Sequence, residues 1–455
     1  MANVSEDVAR GDFYFREQLV NQVNGFNQFG LHSDLLRSVN ELGFQKPTPI
    51  QQDAIPHALK GSDLLACAQT GSGKTAAFLL PILQQLRDTP RGTTRALIVT
   101  PTRELAVQIV EHFAALAKHT RLRAAAVYGG VGMKPQMDAL RRGVDVVVAT
   151  PGRLLDHVRQ GNTNFSALQV LVLDEADRML DMGFLPDIRR IMQVLPTTSR
   201  QTLFFSATMP APIVELSREI LRKPVMLNIQ RQSKPARGIT QALYPVNGGL
   251  KTDLLIELLR RDEIGNAIVF TRTKHRANRV AEKLERAHIA VSRMHGNRSQ
   301  AQRTEALAGF KDGRYRVLVA TDIVARGIDV TLLDHVINFD VPHTPDDYIH
   351  RIGRTARAEA TGDAFTFVSH EEEGLIRDVE RVLGRKLERR TLTDFNYTAR
   401  TTEALEIPLA ERIAAIRERK RAERLRTVER TTLPAASKKG QPHRRRRGNR
   451  GRRTA

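Results

Sequence analysis

Cysteine is almost absent from this sequence. Cys67 stands alone among 455 residues, so an internal disulfide is excluded and a reducing compartment such as the cytoplasm is expected. Long apolar runs are also missing. None approaches the roughly 18–20 residues that cross a bilayer, which excludes a helical membrane protein. The first ten residues carry two acids and no apolar stretch, so no secretory signal is expected there.

Positive charge is what the sequence has in excess. Lysine and arginine outnumber aspartate and glutamate by 21, and the pI is about 10.6. Such a balance points to a polyanionic partner, most often nucleic acid. Apolar residues make up 41% of the chain, which excludes wholesale disorder, and roughly 150 residues per domain predicts two or three domains.

Most of the excess charge falls at the C-terminal end. Residues 411–455 hold 17 lysines and arginines against four glutamates. The mixed pattern of 411–430 predicts an exposed helix, whereas 431–455 has too few apolar residues for a core and is expected to be disordered. Four consecutive arginines favour a phosphate backbone as neighbour. A tail that only improves solubility is the alternative.

Short apolar runs alternate with amphipathic segments twice along the chain. Because the runs are almost continuously apolar, they indicate buried strands of parallel sheets, and the fold class is α/β and doubly wound. The first set of strands is expected at 64–68, 96–100, 124–128, 145–150, 170–174 and 202–206, with helices at 104–118 and 135–143. The second set is expected at 267–271, 316–321, 335–340 and 364–369, with helices at 251–261 and 274–287.

These patterns divide the chain into five parts. They are an N-terminal arm (1–25), a first domain (26–230), a polar linker (231–240), a second domain (241–390) and a basic C-terminal extension (391–455) that is disordered from about 431. Of the two α/β units, the first alone contains a recognisable phosphate-binding loop.

That loop, AQTGSGKT at 68–75, follows the first predicted strand. It fits the pattern G-x-x-x-x-G-K-[ST] except that Ala68 replaces the first glycine. Glycines let backbone N–H groups approach phosphate oxygens, Lys74 can reach the β- and γ-phosphates, and the Thr75 hydroxyl suits Mg²⁺. A glycine-rich turn without a ligand is the alternative. The nucleotide-binding residues expected here are Thr70, Gly71, Ser72, Gly73, Lys74 and Thr75.

An acidic pair ends the fifth predicted strand. Asp174 is placed to hold the metal, and Glu175 is placed to accept a proton from the attacking water. Combined with the phosphate loop in the same unit, the pair predicts nucleoside triphosphate hydrolysis. It does not say what the released energy drives.

The letters DEAD at 174–177, together with AQTGSGKT, resemble the DEAD-box RNA helicases of superfamily 2. Further motifs of that family follow in order over residues 26–369. The resemblance implies two tandem RecA-like domains and ATP hydrolysis that depends on Mg²⁺ and RNA. Residues 43–51 match the family's Q motif, which implies that Gln51 hydrogen-bonds adenine, that Phe44 covers the base and that Phe26 is a further aromatic in the nucleotide site.

The resemblance also assigns residues of both units to RNA and to coupling. PTRELA (101–106), the glycine pair 129–130 and TPGR (150–153) look like the RNA-binding loops of the first domain, and their arginines can pair with phosphates. Ser206 and Thr208 match the motif that links ATP hydrolysis to strand separation. The residues expected to face RNA are Pro101, Thr102, Arg103, Gly130, Thr150, Pro151, Gly152, Arg153, Arg272, Gly296, Gln300, Arg303 and Thr321.

The second unit is expected to complete the ATP site. Arg354 and Arg357 match the family's arginines that reach the γ-phosphate and stabilise the charge of the transferring phosphoryl group. By the same resemblance Asp329 contacts the ribose and His350 couples the γ-phosphate to the first domain. Ala356 departs from the glycine of many members, and one added methyl group there is expected to be tolerated.

The resemblance therefore implies an ATP-dependent RNA helicase that locally unwinds or remodels RNA duplexes and RNA–protein complexes. It is expected to grip single-stranded and duplex RNA without reading bases, and the tail is expected to bind structured or ribosomal RNA. The entry FNQFGL and the basic tail are similar to the bacterial RhlE group, which implies roles and protein partners in ribosome assembly or RNA decay. A DNA helicase or translocase is one alternative. A non-catalytic RNA-binding or annealing protein that uses ATP as a clamp is another.

Overall fold

The computed structural model describes most of residues 25–399. The described residues are 25–68, 71–90, 92–196, 200–228, 238–261, 264–322, 333–355 and 361–399. Within these ranges, no helix combines the length and the apolarity needed to cross a membrane. The N-terminal arm before residue 25, most of the predicted linker and the basic extension beyond 399 lie outside the described residues.

The first domain is built on a seven-stranded parallel sheet in the order β3-β4-β2-β5-β6-β1-β7. Its strands are β1 Leu64–Cys67, β2 Ala96–Val99, β3 Ala124–Val127, β4 Val146–Ala149, β5 Val170–Leu173, β6 Gln201–Ser206 and β7 Val225–Asn228. Its helices are α1 Ser33–Glu41, α2 Pro49–Leu59, α3 Lys74–Leu86, α4 Arg103–Leu116, α5 Met133–Arg141, α6 Pro151–Arg159, α7 Ala176–Asp181, α8 Leu185–Val194 and α9 Ala211–Ile220.

A second seven-stranded parallel sheet, in the order β10-β11-β9-β12-β13-β8-β14, forms the second domain. Its strands are β8 Ile239–Pro245, β9 Ala267–Phe270, β10 Val291–Met294, β11 Val317–Ala320, β12 His335–Asn338, β13 Gly362–Val368 and β14 Glu388–Arg389. Its described helices are α10 Lys251–Arg260, α11 Lys274–Arg286, α12 Gln300–Lys311, α13 Pro345–Ile352 and α14 Glu373–Leu383.

The two sheets share one strand order. Numbered from their own first strands, both read 3-4-2-5-6-1-7, so β8 occupies the place of β1 and β12 the place of β5. Parallel order with crossover helices places the carboxyl ends of all strands at one edge, where ligands of open α/β sheets bind. The prediction of two doubly wound parallel sheets is confirmed.

Apolar side chains cover both faces of the first sheet. Along β2, Ile98 belongs to the core on one face, whereas Leu97 and Val99 belong to the core on the other. Helices α3 and α4 close the first face with side chains such as Phe78, and α6, α8 and α9 close the second with side chains such as Leu216. This explains why the strands read as continuous apolar runs.

Four strands do not follow that pattern and were not predicted from the sequence. β7, β10 and β14 lie at sheet edges, and β10 carries the polar residues Ser292 and Arg293. β8 lies inside the second sheet but includes Thr240 and Gln241, and it begins at Ile239, where the linker 231–240 was expected. Edge position and polar side chains remove the signal that marks a buried strand.

Candidate active site

The phosphate loop connects β1 to α3, and the side chain of Lys74 at its end hydrogen-bonds the residue at its beginning. Lys74 is 6% exposed and its Nζ donates a hydrogen bond to the carbonyl oxygen of Ala68 at 3.0 Å. Because Ala68 takes part through its backbone, the replacement of glycine at this position leaves the contact intact. Thr75 follows on the first turn of α3, and Thr70 lies outside the described residues.

The segment before α2 holds this loop from one side. The Gln51 amide donates to the carbonyl oxygen of Gly73 at 3.1 Å and accepts from the Thr48 N–H at 2.9 Å, while the Thr48 hydroxyl donates to the Ser72 carbonyl at 2.7 Å. A Cβ atom at Gly73 would lie 2.6 Å from Gln51 Nε2, so the site requires glycine. Gln51 was predicted to bind adenine, and its contact with the phosphate loop was not predicted.

Two aromatic rings stand beside this segment. Phe26 is buried, Phe44 is 38% exposed, and their ring centroids are 6.1 Å apart. The predicted aromatic pair is therefore brought together, with one ring open to a ligand.

The acidic pair follows β5 directly. Asp174 and Glu175 are both buried, and Asp174 Oδ1 lies 3.9 Å from Lys74 Nζ. Burial raises the pKa of Asp174, and the charge of Lys74 opposes that rise. This buried carboxylate, which Lys74 compensates only in part, and the hydroxyl of Thr75, the next residue after Lys74, are the kind of oxygen donors that Mg²⁺ prefers. These residues fit the metal that the family implies.

Glu175 turns the chain from β5 into α7. Its backbone adopts φ +53°, and its carboxylate accepts a hydrogen bond from the Arg178 guanidinium one turn later. Burial alone would raise the pKa of Glu175, but the charges of Arg178, Lys74 and Arg354 outweigh burial and hold its pKa below the usual range. Arg354, which is buried after α13, thus acts on Glu175 from the second domain.

Ser206 and Thr208 are connected to the acidic motif by Asp177. The Asp177 carboxylate accepts from the Thr208 N–H at 2.8 Å and from its hydroxyl at 2.9 Å. The Ser206 hydroxyl accepts from the Asp177 N–H at 3.1 Å and donates to the Thr208 carbonyl at 2.7 Å. Asp177 was missed as a functional residue, although it is the last letter of the motif itself.

Two predicted RNA-facing arginines converge on the loop 129–131. The Arg103 guanidinium lies so close to Gly130 that any side chain there would collide with it. Arg153 donates twice to the carbonyl oxygen of Val131, at 3.1 and 3.2 Å. Gln136 supports the loop by donating to the Tyr128 carbonyl at 2.9 Å. The other residues predicted to face RNA in the first domain lie at the starts of α4 and α6: Pro101 and Thr102 precede α4, Thr150 precedes α6, and Pro151 and Gly152 begin it.

In the second domain, Gln300 and Arg303 bind a carboxylate of the first. Arg303 pairs with Glu104 at 2.6 Å, and the Gln300 amide donates to the same carboxylate at 3.2 Å. Glu104 was not predicted as a functional residue. Arg272, Gly296 and Thr321 follow β9, β10 and β11, and His350 lies on α13. Asp329 and Arg357 lie outside the described residues.

Comparison with known proteins identifies the family. Residues 48–216 match the family model described as DEAD/DEAH box helicase, and residues 250–359 match the helicase conserved C-terminal domain. The DEAD-box ATP-dependent RNA helicase CshA of Bacillus cereus is 42% identical over 364 residues, which cover 80% of this chain and 69% of that protein. The chain belongs to the DEAD-box RNA helicase family.

Other relatives and solved structures agree with this assignment. The ATP-dependent RNA helicase DeaD of Escherichia coli is 43% identical over 79% of this chain and 57% of that protein. The structure of S. cerevisiae Dbp5 bound to RNA and ADP BeF3 is 32% identical, with a TM-score of 0.75 over 82% of this chain and 96% of that chain. Mss116 bound to ssRNA and AMP-PNP is 28% identical with a TM-score of 0.74, over 81% of this chain and 79% of that one.

The predictions of fold and enzyme class are thereby confirmed. The two doubly wound units are the tandem RecA-like domains of this DEAD-box protein, and it is an ATP-dependent RNA helicase with RNA-dependent ATP hydrolysis. The relatives reported above carry the names CshA and DeaD. The grouping with RhlE stays a prediction.

Proposed function

We propose that this helicase hydrolyses ATP in a pocket divided between its two domains and uses their closure to separate short RNA duplexes. The observation that carries the proposal is the burial of Lys74, Asp174 and Glu175 at the ends of β1 and β5, with the charge of Arg354 from the second domain acting on Glu175. Neither domain alone holds all of these groups.

Each residue has a chemical task in this proposal. Lys74 releases the Ala68 carbonyl to bind the β- and γ-phosphates of ATP, and Glu175 accepts the proton of the attacking water. Arg354 and Arg357 stabilise charge on the transferring phosphoryl group. Thr75 and Asp174 would hold Mg²⁺, which neutralises phosphate charge when it is bound. Gln51, Phe44 and Phe26 would select adenine, Asp329 would contact the ribose, and His350 would link the γ-phosphate to the first domain.

RNA binding is proposed to use the backbone rather than the bases. Arg103 and Arg153, clustered around the loop 129–131, supply donors and charge to phosphates, and Arg272, Gly296 and Thr321 do so in the second domain. Gln300 and Arg303 are proposed to act at the same site, in contact with Glu104. Because ATP and RNA would favour the same closed arrangement, each should raise the affinity for the other by an equal factor.

The test compares ATP hydrolysis without nucleic acid, with single-stranded RNA and with DNA of the same sequence. We expect RNA to stimulate turnover at least tenfold and DNA to have little effect. Equal stimulation by DNA would favour the alternative of a DNA translocase. Equal turnover with and without RNA would contradict the proposed coupling, and binding without turnover would favour an ATP-dependent clamp.

The cellular role is proposed to be ribosome assembly or RNA decay in the cytoplasm, in line with the similarity to the RhlE group. The basic extension would deliver the core to structured or ribosomal RNA through phosphate contacts. Replacing the nine lysines and arginines of residues 431–455 by glutamine keeps the chain length. We expect weaker RNA binding and a shallower dependence on salt; an unchanged slope would support the solubility alternative. Crosslinking to cellular RNA would identify the bound transcripts.

A further inference from the structure

The second domain contains a lysine in the position of the phosphate-loop lysine. β8 takes the place of β1 in the shared strand order. Lys251 is the first residue of α10, the first α-helix after β8 and a short 3-10 turn, as Lys74 is the first residue of the helix after β1. A threonine follows in both cases, and glycines precede both lysines. The segment before Lys251 lacks the spacing of a phosphate loop, so its sequence does not mark it as a counterpart.

Lys251 is bound by oxygen atoms of the protein itself. It is 2% exposed, and its Nζ donates to the carbonyl oxygens of Phe339 at 2.9 Å and Phe367 at 3.0 Å and to Glu372 Oε2 at 2.5 Å. Phe339 directly follows β12, as Asp174 directly follows β5. The negative charge beside Lys251 therefore comes from the Glu372 carboxylate, whereas its counterpart Lys74 is expected to bind phosphate.

The other oxygen of the same carboxylate contacts Arg272, which is expected to face RNA. Glu372 Oε1 accepts from Arg272 Nη2 at 3.1 Å and from the Val341 N–H at 3.3 Å. Ser369 fixes Oε2 with its N–H and its hydroxyl, both at 3.1 Å. The carboxylate thus has five protein donors and a single orientation.

Arg272 is held at both ends by this arrangement. Its backbone N–H donates to Asp340 Oδ2 at 2.8 Å, its Nη2 binds Glu372, and its Nε is buried without a hydrogen-bond partner. The side chain is nevertheless 33% exposed, so part of the guanidinium faces outward. A guanidinium fixed along one edge loses less rotational freedom when its other edge binds a phosphate.

We propose that Glu372, anchored on Lys251, is a positioning residue that aims Arg272 at the RNA backbone. The inference rests on the proposed function, since it requires Arg272 to contact RNA. It extends the RNA site to Lys251 and Glu372, which no motif resemblance assigned. The segment of the second domain that corresponds to the phosphate loop would then contribute to RNA binding.

The test is a double-mutant cycle in the full-length chain with Glu372→Gln and Arg272→Ala. An amide keeps the size of the carboxylate but turns a donor toward Lys251 or Arg272. We expect the RNA concentration that gives half-maximal ATPase stimulation to rise roughly tenfold in Glu372→Gln, while turnover at saturating RNA is retained. In the Arg272→Ala background the same change should add less than about twofold.

Glu373→Gln is the matched control. It removes the same charge one residue later, from a carboxylate that pairs with Arg389 at 2.7 and 2.8 Å on the surface. We expect its half-saturating RNA concentration to equal that of the unmodified protein. If Glu372→Gln unfolds at the assay temperature, Glu372→Asp keeps the charge and withdraws it from Arg272 by one methylene, and a rise of about threefold is expected.

Three results would overturn the inference. The first is an unchanged half-saturating RNA concentration in the Glu372 variants. The second is a Glu372→Gln change that raises the half-saturating RNA concentration by the same factor with and without Arg272, because an effect independent of Arg272 indicates a general structural role. The third is an Arg272→Ala variant that binds RNA normally. Failure of the proposed function is distinguished from these, because the unmodified protein would then show no RNA-stimulated ATP hydrolysis.

Discussion

The carboxylate of Asp177 accepts two hydrogen bonds from Thr208, one from its N–H and one from its hydroxyl. This joins the end of the acidic motif to the segment after β6. We expect a shift of Glu175 or Asp177 during hydrolysis to be passed through this contact to the chain that continues into α9. These hydrogen bonds connect the acidic motif directly to Thr208, one of the two residues, with Ser206, that are predicted to couple ATP hydrolysis to strand separation.

Thr208→Ala removes the hydroxyl donor and keeps the backbone one. We expect RNA-stimulated ATP hydrolysis to change by less than about threefold, because Thr208 is not among the residues assigned to the phosphates. Strand separation should fall at least tenfold, since the lost bond leaves the buried carboxylate with one donor fewer. Both rates can be measured with a fluorescent duplex and a phosphate sensor. Ser217→Ala, which removes a hydroxyl bonded within α9, is the control and should alter neither rate.

The phosphate loop and the acidic pair predict two different defects. Lys74→Ala should abolish turnover and weaken ATP binding, because the charge that meets the β- and γ-phosphates is gone. Glu175→Gln should lower turnover by about 10²–10⁴-fold while ATP still binds, so that RNA is released slowly. Stopped-flow nucleotide binding and RNA release measure both. Lys118→Ala removes an exposed lysine that pairs with Glu41 and should behave normally; equal ATP affinities for the two lysine variants would contradict the role of Lys74.

The sequence predicted the strands whose side chains face apolar cores on both sides. β2 and β5 are such strands, and every residue in them is buried. β8 and β10 were not predicted, because polar residues such as Gln241 and Arg293 interrupt their apolar pattern. Pairing in those strands depends on neighbours that lie far away in the sequence, so local pattern does not reveal it.

Candidate site residues were found where a short motif carries them and missed where distant segments meet. Gln51 was recognised inside a nine-residue match, but its bond to the Gly73 carbonyl joins positions 22 residues apart. Lys251 and Glu372 are separated by 121 residues and belong to no shared motif. A charge pair of this kind becomes visible only when the fold brings both groups into one buried space.

Gly130 is predicted to be essential for the placement of Arg103. Its φ of +84° and the guanidinium against it both oppose a side chain. Gly130→Ala should cost about 1–2 kcal/mol of unfolding free energy from backbone strain and, by displacing Arg103, should raise the half-saturating RNA concentration about fivefold. Gly161→Ala separates the two effects, because φ there is +66° with open space around the site. The control should lose similar stability and bind RNA normally; equal RNA defects would show that strain alone is responsible.

The burial of His295 predicts that the protein loses stability in mild acid. It is buried directly before Gly296, accepts from the Asn297 N–H through Nδ1 and pairs with Asn278 through Nε2. Burial, and then the charges of Arg298, Arg293 and Lys274, lower its pKa from 6.5 to about 4. Since the folded state resists protonation, the unfolded state binds more protons below pH 6.5, and stability falls as the pH drops toward 4.

The expected loss from this histidine between pH 7 and pH 5 is about 1–2 kcal/mol of unfolding free energy. Denaturant unfolding at both pH values measures it, with His295→Gln as the variant that cannot take up the proton. That variant should lose less stability over the interval than the unmodified protein by the stated amount. His343→Gln makes the same substitution at an exposed position and is the matched control. Identical slopes for His295→Gln and the unmodified protein would mean that the buried imidazole accepts its proton without cost, and the positive groups around it would then have to move apart.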